Sequence, residues 1–587
     1  MKAFCWLFLG FIHGILAQEE TSIQKETDES THICKSTYAA RKATSLYGIR
    51  IVGEKAAFSP TNTASISPNE LQTQHFENNT QGGAPITDSS NSFGIYIDKN
   101  VRVPGPPEEL KKKLFPYVKG QEITRAHLLD IKRNILNHYA KYNNEMVIVE
   151  IPEQHISSGI VSFVVTKPRI GSVKYRGNRW FSEKKVAKKI CLHEGDPIDE
   201  NALRNRLSWL NENPFHYTDV IISPGKTTKS TDLEIVTQDR FPVRGYAGAD
   251  NTGVESIGTA RYYGGFTWGN AFFIDDFLNY QFTTNNEYHR FHSHSLNYTS
   301  YLPWQHWLMI YGSYAKIHTN TTDFDGNSKD AQASLRYKIP FKPLYTSFQH
   351  QFYFGADYKY LTNILFFVAQ TTPESVQNSI VNVTQAMLGY MLESKPCRHE
   401  FTVRFEVFGS PAKWLPHQTT GDYNSFRIHA KPRYIYGTLT LGEIYTFATK
   451  HSIAGLVRMQ GTPNALIPSE QFKLGGHNSV RGYEESVFIS DNGIIANLEL
   501  RTRPFTFFKK VKDQLTFLGF MDYGWGYNYH SFDGIQKTAT LWGIGPGVRY
   551  TVGPYLTARA DYGFKLNHVH FDDHKLGMWH VAATLSY

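Results

Sequence analysis

The sequence predicts two consecutive βααββ units followed by a membrane-spanning antiparallel β-barrel of about sixteen strands. Three observations carry this reading. Helical periodicity is confined to residues 92–240. From residue 241 to Tyr587 the chain is built of segments with one apolar and one polar face. Aromatic residues make up 14% of the chain while mean hydropathy is only −0.40. High aromaticity at low hydropathy fits strands whose two faces differ and disfavours a bundle of membrane helices. Past residue 18 no stretch is long and apolar enough for a transmembrane helix.

The units follow in order. Lys2, the apolar run "AFCWLFLGF" and the small Ala17 read as a cleaved secretory signal over residues 1–17. Residues 18–45 are polar and aperiodic, a linker. A short strand over 46–53 carries Ile49 and Ile51, and 54–91, rich in Ser, Thr, Asn and Pro, reads as a long insertion. The first unit closes at 167. Thr124 can cap a helix with Leu128, Ile131, Ile135, Tyr139 and Tyr142 on one face, and "EMVIVEIP" and "IVSFVVT" are its last strands.

The second unit, 168–240, starts with the strand "RIGSVKYRG". A helix from Ser182 bears Val186 and Ile190. After the break "EGDP", a helix from Asp199 bears Leu203, Leu207 and Leu210. The strands "YTDVIIS" and "TDLEIVTQ" complete it.

In the barrel region, 241–587, "FTVRFEVFG" sets Phe401, Val403, Phe405 and Val407 against Thr402, Arg404 and Glu406. A soluble sandwich shows the same alternation. The barrel is favoured because segments of about ten residues continue to the last residue, with room for about sixteen strands at about twenty residues per strand and connection. Tyr and Trp also crowd strand ends, as in "YLPWQHWLMIYGSY". A chain sent across a membrane with such strands can place them in lipid only as a closed barrel.

Several function classes are disfavoured. The net charge of +8 is spread along the chain and forms no nucleic-acid footprint. No G-x-S-x-G, H-E-x-x-H, P-loop or G-x-G-x-x-G occurs, so no catalytic residue, cofactor or enzyme activity is expected. "GIGPG" (543–547) lies in strand context and reads as barrel backbone. Cys34, Cys191 and Cys397 are too scattered for a disulfide framework or metal spacing, and Cys191 reads as core. The histidine clusters at 289–294 and 568–574 lack an acidic or cysteine framework. They read as polar loop or lumen rather than as a metal site. The Asn-x-Thr sequons at Asn78, Asn297, Asn320 and Asn382 read as incidental.

One loop segment stands out: "GGHNSVRGYEE" at 475–485, with Arg481 between Val480 and Gly482. Two βααββ units ahead of a barrel, with "VRGY" late in the chain, resemble the POTRA-plus-barrel superfamily of outer-membrane protein translocators. Within it the chain resembles the TpsB-type transporters of two-partner secretion. "KPRIGSVKYRGNRWFSEKKV…LHEGDPIDENALRNRLSWLNENPF", "IPEQHISSGIVSFVV" and "AGADNTGVESIGTARYYGGFTWGN" carry the likeness over most of residues 92–587.

The resemblance implies a loop bearing Val480, Arg481, Gly482 and Tyr483 folded into the barrel lumen. Its arginine would meet the acidic residue of a Phe-x-Asp-x-Gly motif, here Phe520, Asp522 and Gly524. It also implies that Tyr587 is the aromatic end read by the outer-membrane assembly machinery. The expected function is export of a secreted exoprotein client, captured unfolded by periplasmic POTRA domains, through a pore in the lipid bilayer of the outer membrane. The alternative is an assembly factor for other outer-membrane barrels; such relatives usually carry more POTRA units than two.

Overall fold

A computed structural model describes residues 45–53, 94–98, 101–143, 147–154, 156, 159–227, 230–320, 324–344, 348–367, 375–394, 398–508, 511–530, 536–569 and 575–587. The expected signal, nearly all of the linker and the insertion over 54–91 lie outside these residues, as do Cys34, Cys397, His570 and His574. The chain forms two compact units. One is drawn from residues up to His138 with Val149–Val165, the other from Tyr139–Ile148 with Thr166–Tyr587.

The first unit has a four-stranded sheet in the order Gly94–Ile97, Gly48–Gly53, Ile160–Thr166, Ile148–Glu150. Ile49, Ile51 and Phe163 of the sheet are buried, as are Ile131 and Ile135 of the helix Arg125–Asn143. Thr124 Oγ1 accepts the backbone N–H of His127 at 3.2 Å, as an N-cap does.

One element exceeds the expected βααββ pattern, and another fills its first helix, which the sequence reading left unplaced. Gly94–Ile97 adds a strand parallel to Gly48–Gly53. A helix spans Pro107–Leu114, with proline in its first turn, Glu108 and Glu109 near its start and Lys111–Lys113 in its last turn. That charge order complements the helix dipole.

The second α+β region keeps the expected order. Strand Arg169–Arg176 is followed by helices Glu183–Ile190 and Glu200–Leu210, then by strands His216–Pro224 and Ser230–Asp239. Asp199 caps the second helix by accepting the Ala202 N–H at 3.0 Å. Val186, Ile190, Leu203, Leu210 and Ile235 form one buried cluster. Cys191 is a correction. It is exposed, because the helix ends at Ile190 and Cys191 takes a left-handed conformation (φ 49°) as the C-cap.

Sixteen antiparallel strands, from Val243–Asp250 to Gly577–Ser586, close into a barrel when the first pairs with the last. Outward residues such as Phe405, Leu498, Met521 and Leu585 are exposed apolar side chains, while Asp522, Asp561 and His580 are buried on the opposite face. Strands Phe348–Phe367 and Ser375–Ser394 have 20 residues each, about twice what a bilayer needs. They overhang at the rim far from the α+β region. His292 and His294 correct the expectation of polar loop or lumen. They share the outward face of Leu296, where His292 stacks on Tyr288 at 4.5 Å and His294 Nδ1 lies 2.8 Å from the Tyr280 hydroxyl.

The second α+β region is joined to the near rim through Asp275, in the turn between strands Arg261–Ala271 and Asp276–Thr284. Asp275 Oδ1 accepts from Asn213 Nδ2 at 2.7 Å and lies 3.1 Å from His216 Nε2; its Oδ2 lies 2.5 Å from Lys189 Nζ. Trp209 packs beside this on Trp307, with centroids 4.6 Å apart. Burial opposes ionisation of Asp275, but the His216 hydrogen bond and the Lys189 ammonium outweigh it and hold the carboxyl below its usual range. A lowered carboxyl contributes stability that is present above the unfolded value of about 4 and lost as pH falls through the folded one. Acidification below about pH 4 should therefore raise amide hydrogen exchange across residues 211–216, and Asp275→Asn should raise it at neutral pH and remove that acid step. Unchanged exchange in the variant would contradict the joint.

Candidate functional site

Strand parity builds the site. Strand Asp513–Tyr527 turns Phe520, Asp522 and Gly524 to the lumen, with Phe517 and Met521 outward. In register Asp522 lies beside Asn497 on one neighbouring strand and Gly543 on the other. The segment between strands Ser452–Gly461 and Asn492–Arg501 folds back from the far rim onto this column.

Arg481 and Asp522 meet directly. Nε donates to Asp522 Oδ2 at 2.8 Å and Nη2 to Oδ1 at 2.9 Å, a fork-to-fork pair, while the Arg481 backbone N–H donates to Oδ2 at 3.0 Å. Asn497 Nδ2 adds a donor to Oδ1 at 2.8 Å. The guanidinium carbon sits 3.5 Å from the Phe520 ring centroid, over its negative face. Arg481 is 4% exposed and Asp522 0%. Deleting one partner of such a pair strands a buried charge, at about 3–5 kcal/mol.

Two more arginines share the neighbouring carboxylates. Arg481 Nη1 donates to Glu499 at 2.7 Å, Arg501 also binds Glu499 at 2.7 Å, and Arg549 binds Asp561 at 2.7 Å. Three arginines thus face three carboxylates.

The rest of the motif seats the loop. Val480 and Tyr483 are buried with Leu474, Phe488, Ile495 and Leu541. The Tyr483 hydroxyl lies 2.5 Å from the Asn567 carbonyl oxygen and 3.1 Å from that of Trp542. Gly482 has φ +99° and donates its N–H to His580 Nε2 at 3.0 Å; a Cβ there would lie 2.9 Å from the Gly563 carbonyl. Gly524 lies beneath Val480. Tyr587 is 94% exposed, and it exchanges backbone hydrogen bonds with Gly245 at 2.9 and 3.0 Å across the barrel seam.

Several residues of the site escaped the sequence reading. Glu470 binds Lys359 at 2.6 Å and Tyr436 at 2.9 Å, a second tether of the loop to the wall. Glu499, Asn497, Asp561 and His580 surround the arginine. "GIGPG" is more than strand backbone. A Cβ on Gly543 would stand 2.1 Å from the Arg481 carbonyl oxygen, so this glycine leaves the space the loop occupies. Alternate glycines on one strand face were the available signal.

Gly543→Ala should therefore unseat the loop without touching a charge. With the protein reconstituted in lipid vesicles, trypsin should leave the Arg481 bond intact in the wild type and cut it in Gly543→Ala, read by mass spectrometry. Equal protection in both would show that the contact does not hold the loop.

Comparisons with known proteins agree with this architecture. Residues 229–340 and 411–550 match the family "Haemolysin secretion/activation protein ShlB/FhaC/HecB". The outer membrane transporter CdiB of Dickeya dadantii is 23% identical over 415 residues, covering 68% of this chain and 69% of the relative. The structure of CdiB from Escherichia coli shares the fold at TM-score 0.69 and 15% identity, over 94% of this chain and 93% of that one. CdiB from Acinetobacter baumannii does so at 0.60 and 16%, over 100% and 97%. The chain is thus similar in sequence to the ShlB/FhaC/HecB family over these segments, and in fold to the CdiB transporters over nearly its whole length.

Proposed function

We propose that the chain exports one secreted exoprotein through its barrel lumen, with the Arg481 loop as a displaceable stopper and the POTRA domains as the periplasmic receptor. The observation that carries this is the buried Arg481–Asp522 pair. It fastens a far-rim loop inside a lumen wide enough to need filling. A pair made from two separate segments is a fastening that can be undone, and undoing it frees the loop as a body. Val480, Gly482 and Tyr483 seat the loop, Phe520 and Gly524 shape its receptor, and Tyr587 serves as the end recognised by the assembly machinery.

The receptor reading rests on the three-stranded sheet of the second POTRA domain, at 168–240. Its order leaves His216–Pro224 as an edge strand, and that edge exposes Tyr217, Ile221 and Ile222. An extended client can add a strand there, with main-chain hydrogen bonds giving affinity and the apolar side chains giving preference. No nucleotide motif occurs in the sequence, and the outer membrane has no ATP. Folding of the client outside then draws it through.

The test is secretion of a candidate exoprotein encoded beside this chain, produced with it in cells lacking other transporters of the class. The full chain should release it to the medium. The variant Tyr217→Glu/Ile221→Lys, which charges the edge, should retain it in the periplasm while the barrel migrates and conducts as wild type. Release without the transporter would overturn the proposal, and loss of other outer-membrane barrels on its depletion would favour the assembly reading.

A further inference from the structure

The extracellular segment 411–433, between strands His399–Ser410 and Tyr434–Thr446, uses the same chemistry as the Arg481 loop and no sequence motif marks it. Strand Ser375–Ser394 pairs with strand His399–Ser410 through Ala386–Glu393, so among the described residues the overhanging part has no strand partner on that side. Segment 411–433 covers it. The Asn382 N–H donates to the His417 carbonyl at 3.1 Å, and the Tyr423 hydroxyl donates to the Asn382 carbonyl at 3.0 Å. Its short helix Thr420–Phe426, closed by a Thr419–Asp422 capping box, sends Tyr423 inward. Tyr423 and Ala430 are buried against Leu361, Val381 and Val383 of the wall and against Leu466 and Ile467 at the root of the Arg481 loop.

Arg427 completes this packing. Nη2 donates to Asp491 Oδ2 at 2.9 Å and Nη1 to Oδ1, again fork to fork. Nη1 also donates to the Leu466 carbonyl at 2.5 Å and Nη2 to Asn528 Oδ1 at 3.0 Å. The Asp491 carboxylate is fully buried and further accepts the N–H groups of Leu466 and Tyr529, each at 2.9 Å. Asp491 is the last residue before strand Asn492–Arg501, so Arg427 grips the Arg481 loop where it re-enters the barrel wall.

We infer that segment 411–433 and the Arg481 loop form one extracellular stopper with two arginine anchors, Arg427–Asp491 at its root and Arg481–Asp522 in the lumen. A chain in transit must displace both. Arg427 is thus a positioning residue for export; this inference rests on the pore reading above. Asp491 keeps its backbone donors when Arg427 is replaced, so the variants belong at 427.

Single-channel recording in planar bilayers, with folding checked by heat-modifiable migration, compares wild type, Arg427→Ala, Arg427→Gln, Arg427→Lys, Arg481→Ala and Arg427→Ala/Arg481→Ala. Arg427→Ala should raise open probability at least about tenfold, as loss of a buried pair implies. Gln, which keeps an N–H donor without the charge, and Lys, a point charge without the fork, should fall between Ala and wild type. The double variant should exceed either single one. If folded Arg427→Ala or Arg427→Gln traces match wild type while Arg481→Ala opens, the second anchor is wrong and the transporter reading stands. If neither arginine alters the traces, both the anchor and the stopper reading fail.

Discussion

A guanidinium and a carboxylate removed from water inside a barrel set the terms for everything around them. Arg481 can be buried because Asp522 meets it bidentately, Phe520 lies under its face and Glu499 takes its remaining amine. Each partner must project from the correct face of its strand, since a slip of one residue would turn Asp522 to the lipid. The two-residue alternation of the wall and the position of the loop are therefore one constraint. Gly543 belongs to it as well, because the loop backbone occupies the space a side chain would fill.

The same economy of charge recurs at the two rims of the barrel. Asp275 gathers Lys189, His216 and Asn213 at the rim next to the second α+β region, and Asp491 gathers Arg427 and backbone donors at the opposite rim. In each case a buried aspartate on the barrel meets cationic or amide groups from a segment distant in sequence. Buried pairs of this kind contribute little net stability, because desolvation offsets the attraction. Their strength lies in geometry, since only one arrangement satisfies both partners. That suits parts that must hold one position and then let go.

Much of the fold was legible in the sequence, and the limits follow from range. Alternation in Phe401–Gly409 and the caps at Thr124 and Asp199 are local signals, and the corresponding strands and helices form where they point. The helix Pro107–Leu114 was equally local. The sequence reading left it unplaced because its apolar positions are few. Cys191 reads as core by periodicity, yet the helix stops one residue short of it. The pairing of Arg481 with Asp522, across 41 residues, came only through a family resemblance. Arg427 with Asp491, across 64, had no such guide. Glu499, Glu470 and Asp275 look like any polar residue of a barrel until the chain closes around them.

The central claim is that Arg481 and Asp522 act as one fastening that keeps the pore shut. Single-channel conductance of the folded wild type, Arg481→Ala, Asp522→Ala and the double variant measures it most directly. One fastening predicts that each single variant opens the pore and that the double variant is no worse than either, because the second change removes a partner already lost. Four matching traces from four folded barrels would contradict it, and additive effects of the two variants would mean that the residues act separately.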